Sequence, residues 1–170
     1  MKNLLTSVVI LLLSVSVQGQ NKSIQKIFDR NKGADGFTSI VITRHMFDLF
    51  SELETQPDDD YLNLIKNLDG INILTASEPG VNSRKFYNTV LKELHNNRYQ
   101  ELMTVHDTDQ DVEFFTREKK GQVVELLMLI GAQKQTTLVW ITGIIDMKTI
   151  SKLADNLGIE GMDRLNKIDK

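Results

Sequence analysis

The apolar positions of this 170-residue chain change their period along its length. Leu4 to Val17 is an apolar run broken only by small hydroxyl residues, and Lys2 supplies a positive charge ahead of it. Val17 and Gly19 place small residues at −3 and −1, so a signal peptide is expected, cut after Gly19 to leave Gln20 first. Helical spacing follows. Ile24, Ile27 and Phe28 predict a short amphipathic helix over Ser23–Asn31, closed by Lys32-Gly33. Phe37 to Thr43 is rich in β-branched residues and reads as the first strand. Met46, Leu49, Phe50 and Leu53 then share one face of a helix that Thr55-Gln56-Pro57 breaks. A second short helix is expected from Asp58, carrying Leu62, Ile65 and Leu68. Asn67 to Gly70 reads as a turn, Ile71–Thr75 as the second strand, and Glu78-Pro79-Gly80 as another turn. Ser83 is expected to cap a longer helix with Phe86, Val90 and Leu94 at spacing four.

Past Asn97 the period falls to two. Tyr99–His106, Asp111–Arg117, Val123–Ala132 and Thr136–Ile145 all read as strands, joined by short polar connections that favour antiparallel hairpins. VVELLMLIGA and TTLVWITGII are apolar at successive positions, which marks them as central strands buried on both faces. Asp146 opens a last helix with Ile150, Leu153 and Leu157, stopped by Gly158. The strand-led order is β-α-α-β-α-β-β-β-β-α. It predicts an α+β fold: a mixed, mostly antiparallel sheet of about six strands with helices packed on one face. Residues 1–19 are expected to be removed and residues 20–170 to form a single domain.

Composition narrows the function classes. Signal cleavage leaves 19 Lys and Arg against 23 Asp and Glu, a net charge of −4. That balance argues against nucleic acid or an anionic membrane surface as the main partner. With no cysteine in the chain, disulfides, thiolate catalysis, cysteine metal sites and lipidation at a cleavage-site cysteine are excluded. No run after the signal reaches the roughly 18 apolar residues of a spanning helix. No cofactor motif is present: Gly33 and Gly36 do not form a phosphate loop between a strand and a helix.

Candidate chemistry is sparse. Asp107, Asp109 and Asp111 fall at i, i+2 and i+4, with Glu118 at position twelve, as in a calcium-binding EF-hand loop. Position six is Val112 rather than glycine and no helix precedes the window, so a polar hairpin turn is the plainer expectation, with the three aspartates kept as candidate metal ligands. His45, His95 and His106 lack metal-ligand spacing. His106 beside Asp107 could orient an imidazole for proton transfer. Asp58, Asp59 and Asp60 suit a helix start. Glu125 is the odd residue of its strand, because a charge there needs solvent or a Lys or Arg on a neighbouring strand. Otherwise it contacts a ligand. Glu125 and His106 are therefore the candidate ligand-binding residues. Trp140 reads as core.

The segments IFDRNKGADGFTSIVITRHMFDLF, LDGINIL, YQELMTVHDTDQDVEFFTREKKG and TTLVWITGIIDMKTISKLA together resemble the secreted bacterial proteins grouped as domain-of-unknown-function family 4252. The matching features, such as Gly143–Asp146 leading into Ile150–Leu153, are strand edges and helix starts. The resemblance implies an envelope location and a compact α+β domain, and brings no established activity. Its members' association with extracytoplasmic-function sigma factors implies a role in envelope stress.

Two readings follow. In the first, the chain is an exported, non-catalytic interaction module with a protein partner in the cell envelope, periplasmic or secreted, contacting it through a sheet face that helices leave open. In the second, it is a small-ligand binder or hydrolase whose pocket lies between sheet and helices and includes Glu125 or His106. An exposed apolar patch favours the first.

Overall fold

The computed structural model describes residues 22–53 and 65–146. The expected signal segment, Asp58–Asp60 and the expected C-terminal helix and tail lie outside the described residues; of the helix expected from Asp58, residues 65–67 are helical, whereas Leu68 already belongs to a strand. Nine elements are described: α1 (Lys22–Asn31), β1 (Phe37–Thr43), α2 (Arg44–Leu53), β2 (Leu68–Ser77), α3 (Ser83–Asn96), β3 (Gln100–His106), β4 (Gln110–Lys119), β5 (Gln122–Ala132) and β6 (Gln135–Ile145). Among the described residues no helix is long and apolar enough to cross a membrane.

The six strands make one open sheet in the order β1-β2-β6-β5-β4-β3. The last four strands form a meander, and β2 pairs with β6 to join it to the β1–β2 pair. The expected α+β class and element order are found. The sheet is antiparallel in every ladder rather than mixed, because β2 meets β6 head to tail and no parallel crossover is needed.

Alternation on the central strands sorts their side chains between two cores. Leu127 and Leu129 of β5 and Leu138 and Trp140 of β6 pack with Ile24 and Phe28 of α1 and with Phe86, Tyr87, Val90 and Leu94 of α3. Leu126, Met128, Val139 and Ile141 point the other way and pack with Phe47 of α2 and with Ile65. Apolar cover therefore lies on both faces, and the open sheet face expected from the helix pattern is absent: Val112, Phe114, Leu126 and Met128 there are at most 2% exposed.

Helix α2 does not bury the apolar face that its sequence spacing marks. Met46, Leu49 and Phe50 of the apolar face that also includes Leu53 are exposed, and Phe47 is the side chain that enters the core. The helix packs on β1 and β2, the two strands nearest one edge. A helix seated at a sheet edge finds neighbours for a narrow strip only, so its longer apolar stripe overhangs.

The turn expected at 67–70 is also replaced by strand. Gly70 pairs with both Thr43 and Thr142, and a bulge between Leu68 and Gly70 turns Asp69 outward. A Cβ on Gly70 would sit 3.1 Å from the Ile42 carbonyl oxygen, so its glycine serves close strand approach rather than a turn. Helix α3 begins one residue earlier than expected. Asn82 is its N-cap and accepts from the Lys85 N–H at 2.7 Å, while Ser83 is buried.

Gly131 on β5 fixes how closely α3 can approach. A Cβ there would lie 2.7 and 2.8 Å from two ring carbons of the buried Tyr87. The ring cannot swing away without leaving Glu113, to which its hydroxyl donates. Gly131→Ala is expected to lower stability by about 1–3 kcal/mol, the ordinary cost of overpacking a filled core. Urea denaturation checks this, and an unchanged midpoint would show that α3 is free to lift.

Candidate functional site

Asp111, Glu113, Phe115 and Arg117 alternate along β4 onto the face that α3 covers. Their register partners on β5 are Gly131, Leu129, Leu127 and Glu125. The result is an apolar middle with a polar row at each end.

At one end Glu125 is 3% exposed and accepts three hydrogen bonds. Tyr99 Oη donates to Oε2 at 2.6 Å, Trp140 Nε1 donates to the same oxygen at 2.9 Å, and Arg117 Nη1 donates to Oε1 at 3.2 Å. The guanidinium of Arg117 also lies 4.0 Å from the centre of the Tyr99 ring. Arg117 and Glu125 are direct cross-strand partners. Tyr99 arrives from the end of α3, where the chain reverses at Arg98 in the left-handed region, φ 59. The Arg98 N–H donates to the His95 carbonyl and the Tyr99 N–H to the Leu94 carbonyl. Those paired bonds form a Schellman close, and they turn the phenol onto the sheet. Burial, then the hydrogen bond to Glu125, then the negative charge of Glu125 push Tyr99 ionisation well above its usual range, with Arg117 opposing.

At the other end Tyr87 Oη donates to the buried Glu113. Arg84, one turn earlier on α3, lies 4.9 Å from the centre of the Tyr87 ring and reaches Asp111 Oδ2 at 3.4 Å. His106 Nδ1 is 2.8 Å from Asp111 Oδ1. The His106 hydrogen bond, with a smaller contribution from Arg84, lowers the Asp111 pKa, against a raising effect of burial. Tyr87 ionisation is pushed up chiefly by burial and then by Glu113.

The candidates named from sequence are thus dispersed. Glu125 and His106 sit in opposite polar rows, six residues apart along β4 by their partners Arg117 and Asp111, or about 20 Å at strand rise. His106 meets Asp111 rather than Asp107. Asp107 accepts from the Thr108 N–H at 2.7 Å within the hairpin turn, and Asp109 is exposed. No group of three or more His, Asp or Glu side chains among the described residues is placed to hold a metal ion. Trp140 is core, as expected, and also a donor. Sequence reading missed Tyr99, Arg117, Tyr87, Glu113 and Arg84. The available signal was the alternation of acid, acid, aromatic and base at residues 111, 113, 115 and 117, which fills one face of β4 with charge. Chemically, the two buried carboxylates are hydrogen-bonded by neighbouring side chains and tie elements together.

Two surfaces remain. Ile40, Val41, Met46, Leu49 and Phe50 of β1 and α2 are 37–50% exposed. A groove of about 850 Å³ runs between α1 and α3, lined by Lys26, Arg30 and Lys85 above Ile27, Phe37 and Phe86.

Removing Arg117 leaves the Glu125 charge buried without its cation, so Arg117→Met is expected to cost about 3–5 kcal/mol. Adding Glu125→Gln keeps an acceptor for Tyr99 and Trp140, and should restore at least half of that loss in chemical denaturation. The tyrosines set a pH dependence of definite sign. Both phenols have raised folded pKa values, so their contribution is complete below pH 10 and is lost as pH rises past it. The slope reaches about 1.4 kcal/mol per pH unit for each tyrosine. Urea midpoints taken from about pH 9 to 11 should fall, and Tyr99→Phe should flatten the fall; an equal slope in the variant would remove Tyr99 as its source.

No curated protein and no solved structure matches the chain. A family does: Domain of unknown function (DUF4252) matches residues 28–153, from the end of α1 through the sheet and beyond it. The match covers most of the chain, and on that ground the protein belongs to the DUF4252 family.

Proposed function

We propose that this chain is an exported, non-catalytic interaction module that engages a protein partner in the cell envelope through the surface made by β1 and α2. The observation that carries this reading is the exposure of five large apolar side chains, Ile40, Val41, Met46, Leu49 and Phe50, on two consecutive elements at one sheet edge. Ile40 and Val41 point to opposite faces of β1, so exposed apolar side chains flank this edge on both sides, as a contact along the edge needs. The edge adds backbone chemistry. Among the described residues β1 pairs only with β2, so half of its N–H and C=O groups face outward and fit a partner strand. The deep carboxylates Glu113 and Glu125 take part in tying α3 to the sheet, which supports a non-catalytic role. The apolar leader at residues 4–17 supports export to the periplasm or beyond, and with it a part in envelope sensing or regulation.

The test is capture from native envelope extract by cross-linking, with wild type and a Val41→Lys, Leu49→Glu variant compared side by side. Both positions are exposed, so the variant should melt within a few degrees of wild type. A stoichiometric partner seen with wild type and reduced at least tenfold with the variant is the expected result. Equal capture by both proteins would move the contact away from β1 and α2.

A further inference from the structure

We propose that the groove between α1 and α3 binds a single-chain amphipathic anion, an alkyl chain ending in a carboxylate. This site is separate from the β1–α2 surface, and neither reading depends on the other. The volume of about 850 Å³ falls within the range of small-molecule sites. The apolar floor is real exposed surface: Ile27, Phe37 and Val81 border the α1–α3 core and are only partly buried. Phe37 stacks edge-on against Phe86 with ring centres 5.2 Å apart, which makes the floor rigid and aromatic.

The walls carry the charge. Lys26 and Arg30 stand one turn apart on α1, and Lys85 faces them from α3. None of these three cations takes part in an ion pair among the described residues, although Arg44, Arg84 and Arg117 all do. In a chain whose acids outnumber its bases, three unpaired cations around one groove are a local reversal of sign. Their mutual repulsion falls when an anion enters between them. Apart from Ser23, whose buried hydroxyl has no partner, the neutral polar side chains of the wall are already engaged. Asn31 and Asn97 donate to the Ile27 and Glu93 carbonyls, and Asn82 caps α3. That leaves the three cations and the Ser23 hydroxyl as the groups with donors to spare.

Glu93 is the one carboxylate among the described wall residues, and Lys85 lies eight residues before it on α3, or about 12 Å. The ligand carboxylate is placed against Lys85, away from Glu93, with Arg30 of α1 as a second cation of the wall and the alkyl chain along Ile27 and Val81.

The experiment is an isothermal titration of the purified protein with sodium decanoate, repeated with decanol and with sodium acetate, alongside amide chemical-shift mapping. Decanoate is expected to bind one to one, about tenfold or more tighter than decanol, with acetate showing no saturable binding and with the shifts confined to α1, α3 and residues 37 and 81. Arg30→Gln with Lys85→Gln, both on exposed side chains, should weaken decanoate about tenfold and leave decanol binding and the melting temperature unchanged. Equal affinity for decanol and decanoate, an unaffected double variant, or shifts centred on β1 and α2 would each overturn the assignment.

Discussion

A carboxylate placed on a central strand has two stable outcomes: it faces water, or it finds donors for both oxygens. Glu125 takes the second course, and the way it does so organises the α3 side of the molecule. Its donors come from three different places, namely β4 through Arg117, β6 through Trp140 and the close of α3 through Tyr99. One side chain thus fixes the register of two ladders and the end point of a helix. The Tyr87–Glu113 bond repeats the device twelve residues earlier, in the N-terminal half of α3. A helix held near both ends by phenol–carboxylate bonds, over an apolar middle of Phe115, Leu127 and Leu129, has little freedom to slide. The close fit of Tyr87 over Gly131 is a consequence of that seating.

With α3 fixed, the rest of the layer falls into place. α1 rests on α3, and Phe28 reaches past it to the Trp140 ring, 5.7 Å between centres. The polar edge of Trp140 is on Glu125 while its face takes the apolar contact, the usual division of an indole between two environments. The groove between α1 and α3 is the remainder: Ile24 and Val90 belong to the buried cluster that the two helices share, while Ile27 and Phe86 line the groove. Its shape is therefore set by the same contacts that bury Glu125.

The strands were legible because alternation is local. Two apolar faces on residues 123–132 and 136–145 marked the centre of the sheet without any knowledge of what lay beside it. Glu125 stood out for the same reason. Its partners did not, because Tyr99 lies 26 residues away and meets it only through the antiparallel register of β4 on β5 and the left-handed turn at Arg98. Helical periodicity was misleading at α2. Met46, Leu49, Phe50 and Leu53 do form a stripe, but a stripe reports where apolar residues are and not whether anything covers them. Phe47, off that stripe, is the side chain the sheet buries. Asn67 to Gly70 misled in the opposite sense, since a glycine after Asn-Leu-Asp reads as a turn, whereas Gly70 lets the β1 backbone come close.

The two edges of the sheet are not equivalent, and the difference bears on which one is open to pairing with another strand. β3 carries Glu101 and His106, and a bulge between Glu101 and Met103 distorts its ladder. Charge and bulges are the means by which edge strands resist pairing with other chains. β1 has neither: FTSIVIT is uncharged and lacks proline, and its register with β2 runs unbroken from Phe37 to Thr43. Ile40 and Val41 project from its opposite faces and are both about half exposed. A strand arriving at β1 would meet regular backbone donors and acceptors and apolar side chains above and below. An edge left so regular beside the overhanging stripe of α2 is a hazard for a free domain, and that hazard is removed when the surface is occupied.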